Sequence, residues 1–364
     1  MNYTVIVLVG MLLFFLIADF IAKIVSPDNS LGSGIIAAGI ELIVGAFPAL
    51  IDNVFGLLSF QITGAQSSDD VNIWSLIAGF VLLGVGILIL VFIRDRFYVL
   101  NMFGLYSQRE IGDKQNVKQL KLNDYKIRER FIDFVNVFNM GIDEKTNSII
   151  VSKIEEECIK FRDRSVEFKK GFTGTAPIPY TILAGTYLVD CEPKSFFEWK
   201  REEEKFIQLS AKKKADFPEL KIKEMDNPNV DAKSVIVAIS TTRRIEKHQL
   251  KDFGEQDIIE IYLDDCKDNN ITYVKQLQNY RKVILDELEA LGREKYPHLN
   301  QINLVASIPS CISLEIGRMI AQNNNRVKKI VAYHFVNQGK KLYPFGITVT
   351  ESQGQYKKGE LIEN

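Results

Sequence analysis

The sequence predicts an α-helical transmembrane N-terminal region followed by an α/β domain of two Rossmann-like lobes. Three observations carry that expectation. Residues 73–93 contain no charge. Beyond residue 164, short β-branched apolar runs recur, each leading into a helix with one apolar side. One phrase is also stated twice, as GTAPIPYTILAGTYL at 174–188 and LVASIPSCISLEIGRMI at 304–320.

The membrane region is assigned to residues 1–95, with candidate segments at 3–24, 34–60 and 73–93. At 1.5 Å per residue, the last covers the roughly 30 Å hydrocarbon core of a bilayer. The first is interrupted only by Asp19 and Lys23 near its end and lacks the basic start and small-residue cleavage site of a signal peptide. The middle segment, GIIAAGIELIVGAFPALIDNVFGLLSF, contains Glu41, Pro48 and Asp52. At 100° per residue, a helix that survives Pro48 places Glu41 and Asp52 on one face. Two readings follow: a re-entrant or interfacial helix whose acids meet headgroups and solvent, or a third span with a polar stripe that lines a leak path between copies. Arg94, Arg96 and Arg109 follow the last segment, while the 61–72 loop has no basic residue, so the C-terminal part is expected in the cytoplasm.

Composition bounds the rest. The chain has 364 residues, 46% hydrophobic and 25% charged, enough for membrane segments plus one large core or two small ones. Lys23 is the sole basic residue before Arg94, against six acidic ones, so the remainder is mildly basic. That balance argues against duplex DNA as the partner and leaves room for a small polyanion. Cys158, Cys191, Cys266 and Cys311 form no C-x-x-C pair and have no neighbouring His, so neither a zinc site nor a disulfide framework is expected. Phosphate-loop, zinc-protease and nucleophile-elbow motifs are missing. The expectation is a non-enzyme without metal or cofactor.

Residues 96–164 read as a helical connector. In YKIRERFIDFVNVFNM, Ile127, Phe131, Phe134, Val135 and Phe138 fall at helical spacing, and KIEEECIKFRDR reads as a second helix. Residues 165–350 form the predicted two-lobed domain, and 351–364 a tail. Each copy of the repeated phrase belongs to a strand–helix–strand unit: SVEFKKGF, the helix to about Leu188 and SFFEWKR in the first; QINLVAS, a helix from Cys311 to Gln322 and KKIVAYHFV in the second. Such units build parallel sheet. Between them lie the strand SVIVAIS and a long helix within NITYVKQLQNYRKVILDELEALGREKY.

In open α/β sheets, ligands bind beyond the C-terminal ends of the strands, where loop amides and helix N-termini favour anions. Three strand ends carry small polar residues: Thr173, Gly174 and Thr175; Ser240, Thr241 and Thr242; Ser307 and Ser310. Arg243 and Arg244 follow the middle set and suit phosphate. Trp199 and Tyr333, in the last strand of each repeat, suit base stacking.

The phrases FTGTAPIPYTILAGTYL, SVIVAIS, INLVASIPSCISLEIGRM and KIVAYHF resemble the SAVED domain, a fusion of two CARF-like Rossmann lobes in bacterial CBASS antiphage effectors. The resemblance covers about half of the chain, residues 165–349. It implies a sensor of a cyclic di- or trinucleotide made by a partner nucleotidyltransferase, and oligomerisation or filament formation that activates a fused effector. The N-terminal helices resemble those of transmembrane members, which implies an inner-membrane protein that acts on membrane lipids. The ligand contacts then extend over Thr173 to Ala176, Ser240 to Arg243, and Ser307 through Pro309 to Ser310. One departure leaves base identity and ring size open: related domains often place an acidic residue between aromatics in the last strand, where this chain has Tyr333-His334-Phe335. Two other classes stay open. One is a ligand-degrading enzyme using Lys200, Arg201 and His334; the other is a membrane-anchored receptor that recruits a separate effector.

Overall fold

The computed structural model describes residues 30–45, 73–92, 95–107, 110–212, 216–323 and 326–364. The chain divides into two compact units, the first ending at Asp95 with a short return at Asp124–Lys126, the second comprising Arg96–Asn123 and Ile127–Asn364.

In the first unit, helix α1 (Ser30–Gly45) packs against α2 (Ile73–Phe92). Both sequences are rich in Gly, Ala, Ile and Leu, and glycines set the closest approach. A Cβ added to Gly39 would lie 2.8 Å from the Gly79 carbonyl oxygen, and one added to Gly79 would lie 2.7 Å from that of Gly39. Backbone therefore meets backbone, as glycines permit where two helices cross closely. Ile36, Ile43 and Leu83 are buried at this seam, while Ile77, Phe80, Val81, Val85 and Leu88 face outward. Counting only residues whose side chains are described, no helix is long and apolar enough to cross a membrane; the α2 backbone itself is helical for 20 residues without a charge. The 3–24 segment and Asp52 lie outside the described residues. Glu41 is exposed on α1.

The second unit holds two sheets. The first has the order β2-β1-β3-β4-β5, formed by β1 (Asp95–Phe103), β2 (Tyr125–Asp133), β3 (Lys169–Thr175), β4 (Ser195–Lys200) and β5 (Lys205–Gln208). Strands β1, β3 and β4 are parallel and β5 turns back antiparallel. Helix α3 (Glu144–Arg164) precedes β3, and α4 (Ile178–Thr186) joins β3 to β4. Asp143 starts α3 with a capping box, accepting from the Thr146 amide at 2.7 Å while the Thr146 hydroxyl accepts from the Asp143 amide.

The expected helical connector is thereby corrected: all of β2, and β1 from its second residue on, fall in 96–164 and belong to the first sheet. Ile127 and Phe131 are four apart, a spacing common to both a helix and a strand. Lys126, Arg128 and Arg130 alternate with them, and a neighbouring strand, β1, is present to pair. Phe131 packs on Phe103 of β1 at 5.8 Å between ring centroids. The expected helix survives only as the short turn Val135–Asn139. Strand β3 also starts later than SVEFKKGF suggests and runs through Thr175, so the turn is shorter than GTAPIP.

The second sheet has the order β12-β11-β10-β9-β7-β8-β6. Its strands are β6 (Lys221–Lys223), β7 (Ser234–Ser240), β8 (Ile258–Tyr262), β9 (Gln301–Ser307), β10 (Lys329–His334), β11 (Phe345–Thr348) and β12 (Leu361–Glu363). Helix α5 (Val274–Ala290) lies between β8 and β9 in the chain, and α6 (Ser310–Gln322) between β9 and β10. The four central strands are parallel. The predicted tail is part of this sheet, since β12 pairs antiparallel with β11.

The two copies of the repeated phrase become α4 and α6 with their preceding strands, and these two helices pack on each other. Aligning β3 with β9 places Gly185 opposite Gly317 and Ile182 opposite Leu314. A Cβ on Gly185 would meet the Leu314 carbonyl oxygen at 2.1 Å, and one on Gly317 would meet that of Ile182 at 1.9 Å. The contact is reciprocal, as a pseudo-twofold relation requires. One contiguous core, including Phe172, Tyr180, Leu183, Val237, Leu304 and Ile312, runs through both lobes.

Candidate functional site

In the second sheet the chain leaves β7 toward β8 on one side and β9 toward β10 on the other, so the direction of winding reverses between β7 and β9. Their last residues, Ser240 and Ser307, are in register. Loops diverge at such a point and leave a crevice beyond the strand ends. A cavity of about 510 Å3 lies there. It is also bounded by the β3–α4 turn, the end of β4, the start of α6 and the residues after β10.

Ten of the residues expected to meet the ligand line this cavity: Gly174, Thr175, Ala176, Trp199, Thr242, Arg243, Arg244, Ser307, Ser310 and Tyr333. The structure places the other four outside its lining. Thr173, Ser240 and Thr241 are buried and lie outside the lining. The Ser240 hydroxyl accepts from the Ile245 amide at 3.1 Å and holds the loop that follows. The Thr241 carbonyl accepts from the Asn270 side chain and the Lys267 amide. Pro309 forms the N-cap of α6.

The 241–245 loop is fixed across the switch point. Amides of Thr241 and Thr242 donate to the Ser307 carbonyl at 2.9 and 3.0 Å. The Ser307 hydroxyl lies 2.8 Å from that of Thr242 and accepts from the Arg243 amide at 3.2 Å. This clamp leaves the Arg243 side chain exposed at the cavity. Arg244 also borders the cavity, but its charge is taken: it pairs with Glu260 and lies 3.5 Å over the Tyr262 ring. Of the two expected phosphate partners, only Arg243 is thus free of a carboxylate among the described residues.

Aromatic placement also differs from the sequence reading. In the first sheet Gly171 pairs with Ser195, and in the second Asn303 pairs with Val331. Counting along each last strand from these matched positions, Trp199 corresponds to Phe335 and Glu198 to His334. Tyr333 corresponds to Phe197 and is nearly buried, edge-on to Phe253 at 4.8 Å. Burial pushes its hydroxyl up to about 12. Tyr333 is therefore wall, and the exposed partner of Trp199 is Phe335, which lines the cavity. An acidic residue between aromatics is present after all, in the first repeat, as Phe197-Glu198-Trp199.

Sequence reasoning missed Glu198 as a site residue. Its carboxylate accepts from the Cys311 amide at 3.0 Å and the Ser310 hydroxyl at 3.2 Å, at the first turn of α6. Burial raises its pKa, opposed by these bonds. The available signal was a lone acid in the apolar strand SFFEWK. His334 lies between Phe138 and Phe345, with ring centroids at 5.4 and 5.3 Å, and burial lowers its pKa to about 4. At neutral pH it is an uncharged donor and acceptor. Lys200 pairs with Glu203 and is not among the lining residues. Among the described residues no group of His, Cys, Asp and Glu is placed to hold a metal.

Residues 154–349 match the family described as the SMODS-associated and fused to various effectors sensor domain, SAVED. No curated protein matches. Similar solved structures are those of an Acinetobacter baumannii Cap4 SAVED/CARF-domain containing receptor. With the cyclic trinucleotide 2′3′3′-cAAA it is 12% identical, with 72% of this chain and 56% of that one covered and a TM-score of 0.46. A second structure of that receptor covers 74% and 55% at 12% identity and a TM-score of 0.44. A third, with 3′3′3′-cAAA, covers 70% and 54% at 12% identity and a TM-score of 0.44. The chain spans a little over half the length of these structures.

Proposed function

The chain belongs to the SAVED family of sensor domains, and from that premise we propose that it is a cyclic-oligonucleotide-activated membrane effector of CBASS antiphage defence. A cyclic di- or trinucleotide, made by a partner nucleotidyltransferase, occupies the cavity at the β7/β9 switch point. The observation that carries this reading is convergence: both lobes, the switch-point loop and the exposed Arg243 meet at one cavity. Phosphates face Arg243, Thr242 and Ser307, while bases stack on Trp199 and Phe335.

Binding promotes head-to-tail contacts between sensor units, and contacts of that kind that do not close extend into filaments. The attached helices are thereby crowded in the bacterial inner membrane, with the sensor on the cytoplasmic side, and the bilayer is permeabilised. Support for the membrane step comes from the helix pair itself. The outward faces of α2 carry Phe80, Val81 and Leu88, and a helix apolar on all sides is suited to lipid or to other helices. Glu41 supplies a polar position on that pair.

The test reconstitutes the full chain into dye-loaded phosphatidylethanolamine–phosphatidylglycerol vesicles and adds a panel of cyclic di- and trinucleotides. Dye release that depends on one ring, with the ring recovered intact, is expected. Ring binding without release overturns the membrane step; failure of every ring to bind overturns the sensor assignment. Arg243→Glu is expected to weaken binding about 10- to 100-fold, the value of a lost charge-assisted bond plus like-charge repulsion. Its melting temperature should stay unchanged, because the side chain is exposed.

A further inference from the structure

The N-terminus of α6, which by its dipole and free amides would suit a ligand phosphate, is already occupied by Glu198. Cys311 N–H and Ser310 O–H donate to Oε1, the same hydroxyl lies 3.4 Å from Oε2, and the Cys311 thiol also bonds this carboxylate. A carboxylate has about four acceptor directions, so with these three donors Glu198 retains capacity for one more, and it is a lining residue of the cavity. No basic side chain is paired with Glu198 among the described residues, and Glu198 lines the cavity. A phosphate brought here would meet a carboxylate and no cation. An N–H donor would complete the carboxylate's bonding.

The equivalent position in the other lobe is His334, a neutral imidazole. The two lobes therefore present different chemistry at matched points: an acceptor-only group in one and a mixed donor and acceptor in the other. Positive charge comes from neither, but from Arg243 on the switch-point loop. This separates the cavity into a phosphate side at Arg243, Thr242 and Ser307 and two base-reading positions, one for each lobe.

Resting on the sensor reading above, we propose that Glu198 is a specificity-determining residue that accepts a hydrogen bond from the exocyclic amino group of one ligand base. The adjacent Trp199 supplies the stacking surface for that base. The bond also gives a half-buried acid in the apolar strand β4 a use: it holds α6 in place without ligand and is completed by one.

The experiment measures calorimetric affinities of the full chain for cyclic triadenylate and for the counterpart ring in which purine replaces adenine, removing only the amino groups. Wild type is expected to prefer the adenine ring by about tenfold, the worth of a hydrogen bond to a charged acceptor. In Glu198→Leu that ratio should collapse to about one. Should this variant fail to melt cooperatively, Glu198→Gln, which keeps one carbonyl acceptor without the charge, should lower the ratio to about three. Equal wild-type affinities, an unchanged ratio in the folded variant, or preference of the wild type for a ring made only of uridine overturns the assignment of Glu198 while leaving the sensor reading intact. Failure of all rings to bind overturns the sensor reading, and this inference with it.

Discussion

Gly317→Val is expected to destabilise the sensor unit by about 3 kcal/mol or more, lowering its melting temperature by roughly 6–12 °C. A Cβ at this position would sit 1.9 Å from the Ile182 carbonyl oxygen and 3.1 Å from the Gly185 Cα. Both are backbone atoms of α4, so no rotamer change relieves the overlap, and the helices must separate along their whole contact. Separation strips packing from Ile182, Leu183, Leu314 and Ile316 at the centre of the core. Gly185→Val should behave alike, because its Cβ would meet the Leu314 carbonyl oxygen at 2.1 Å. Thermal melting of each variant, followed by near-ultraviolet circular dichroism, reads the effect. Melting at the wild-type temperature would mean that the α4–α6 crossing does not hold the lobes together. The same variants should weaken ring binding, since α4 and α6 each begin at the cavity.

The repeat explains how much of this architecture could be read beforehand. SVIVAIS and QINLVAS are continuous apolar runs bounded by polar turns, and the structure makes each of them a strand over its full length. A parallel strand buried on both faces has no alternation to confuse with another period. Edge strands fared otherwise. In β2 the residues shared between helical and strand spacing, Ile127 and Phe131, outweighed the alternating charges, and only the presence of β1 decides between the two.

Site residues divided along a similar line. Strand ends identified the cavity region, because the position of a ligand crevice follows from topology. Which side chains face it did not follow, since a one-residue difference reverses a side chain in a strand. Position along the strand matters as well: Thr173 and Thr175 share one face of β3, yet the first is behind the wall and the second, at the strand end, lines it. The match of Trp199 with Phe335 in place of Tyr333 also depends on register, which the sequence spacing does not encode because the helices and the segments that join them to the last strand differ in length. Glu198 was hidden for another reason. Its role depends on α6, more than 100 positions away in the chain.

Glu315→Leu is expected to cost about 3–5 kcal/mol, the usual penalty for breaking a buried ion pair from one side. Glu315 and Arg318 are one turn apart on α6 and almost wholly buried, with Arg318 Nη1 donating to Glu315 Oε1 at 2.6 Å. Arg281 of α5 pairs with the other carboxylate oxygen. Arg318 also donates from Nε to the Leu188 carbonyl at 3.0 Å, satisfying the chain just after α4. Without Glu315, Arg281 can turn to Glu192, 3.6 Å away, but the Arg318 guanidinium keeps only carbonyl partners in a dry interior. The double variant Glu315→Leu with Arg318→Met should therefore be more stable than Glu315→Leu alone, because no buried charge remains unpaired. Urea unfolding midpoints at unchanged m-value test the order; a double variant no better than the single would show that packing at Glu315 dominates over charge. This network and Glu198 hold opposite ends of α6, one to the end of α4 and one to β4.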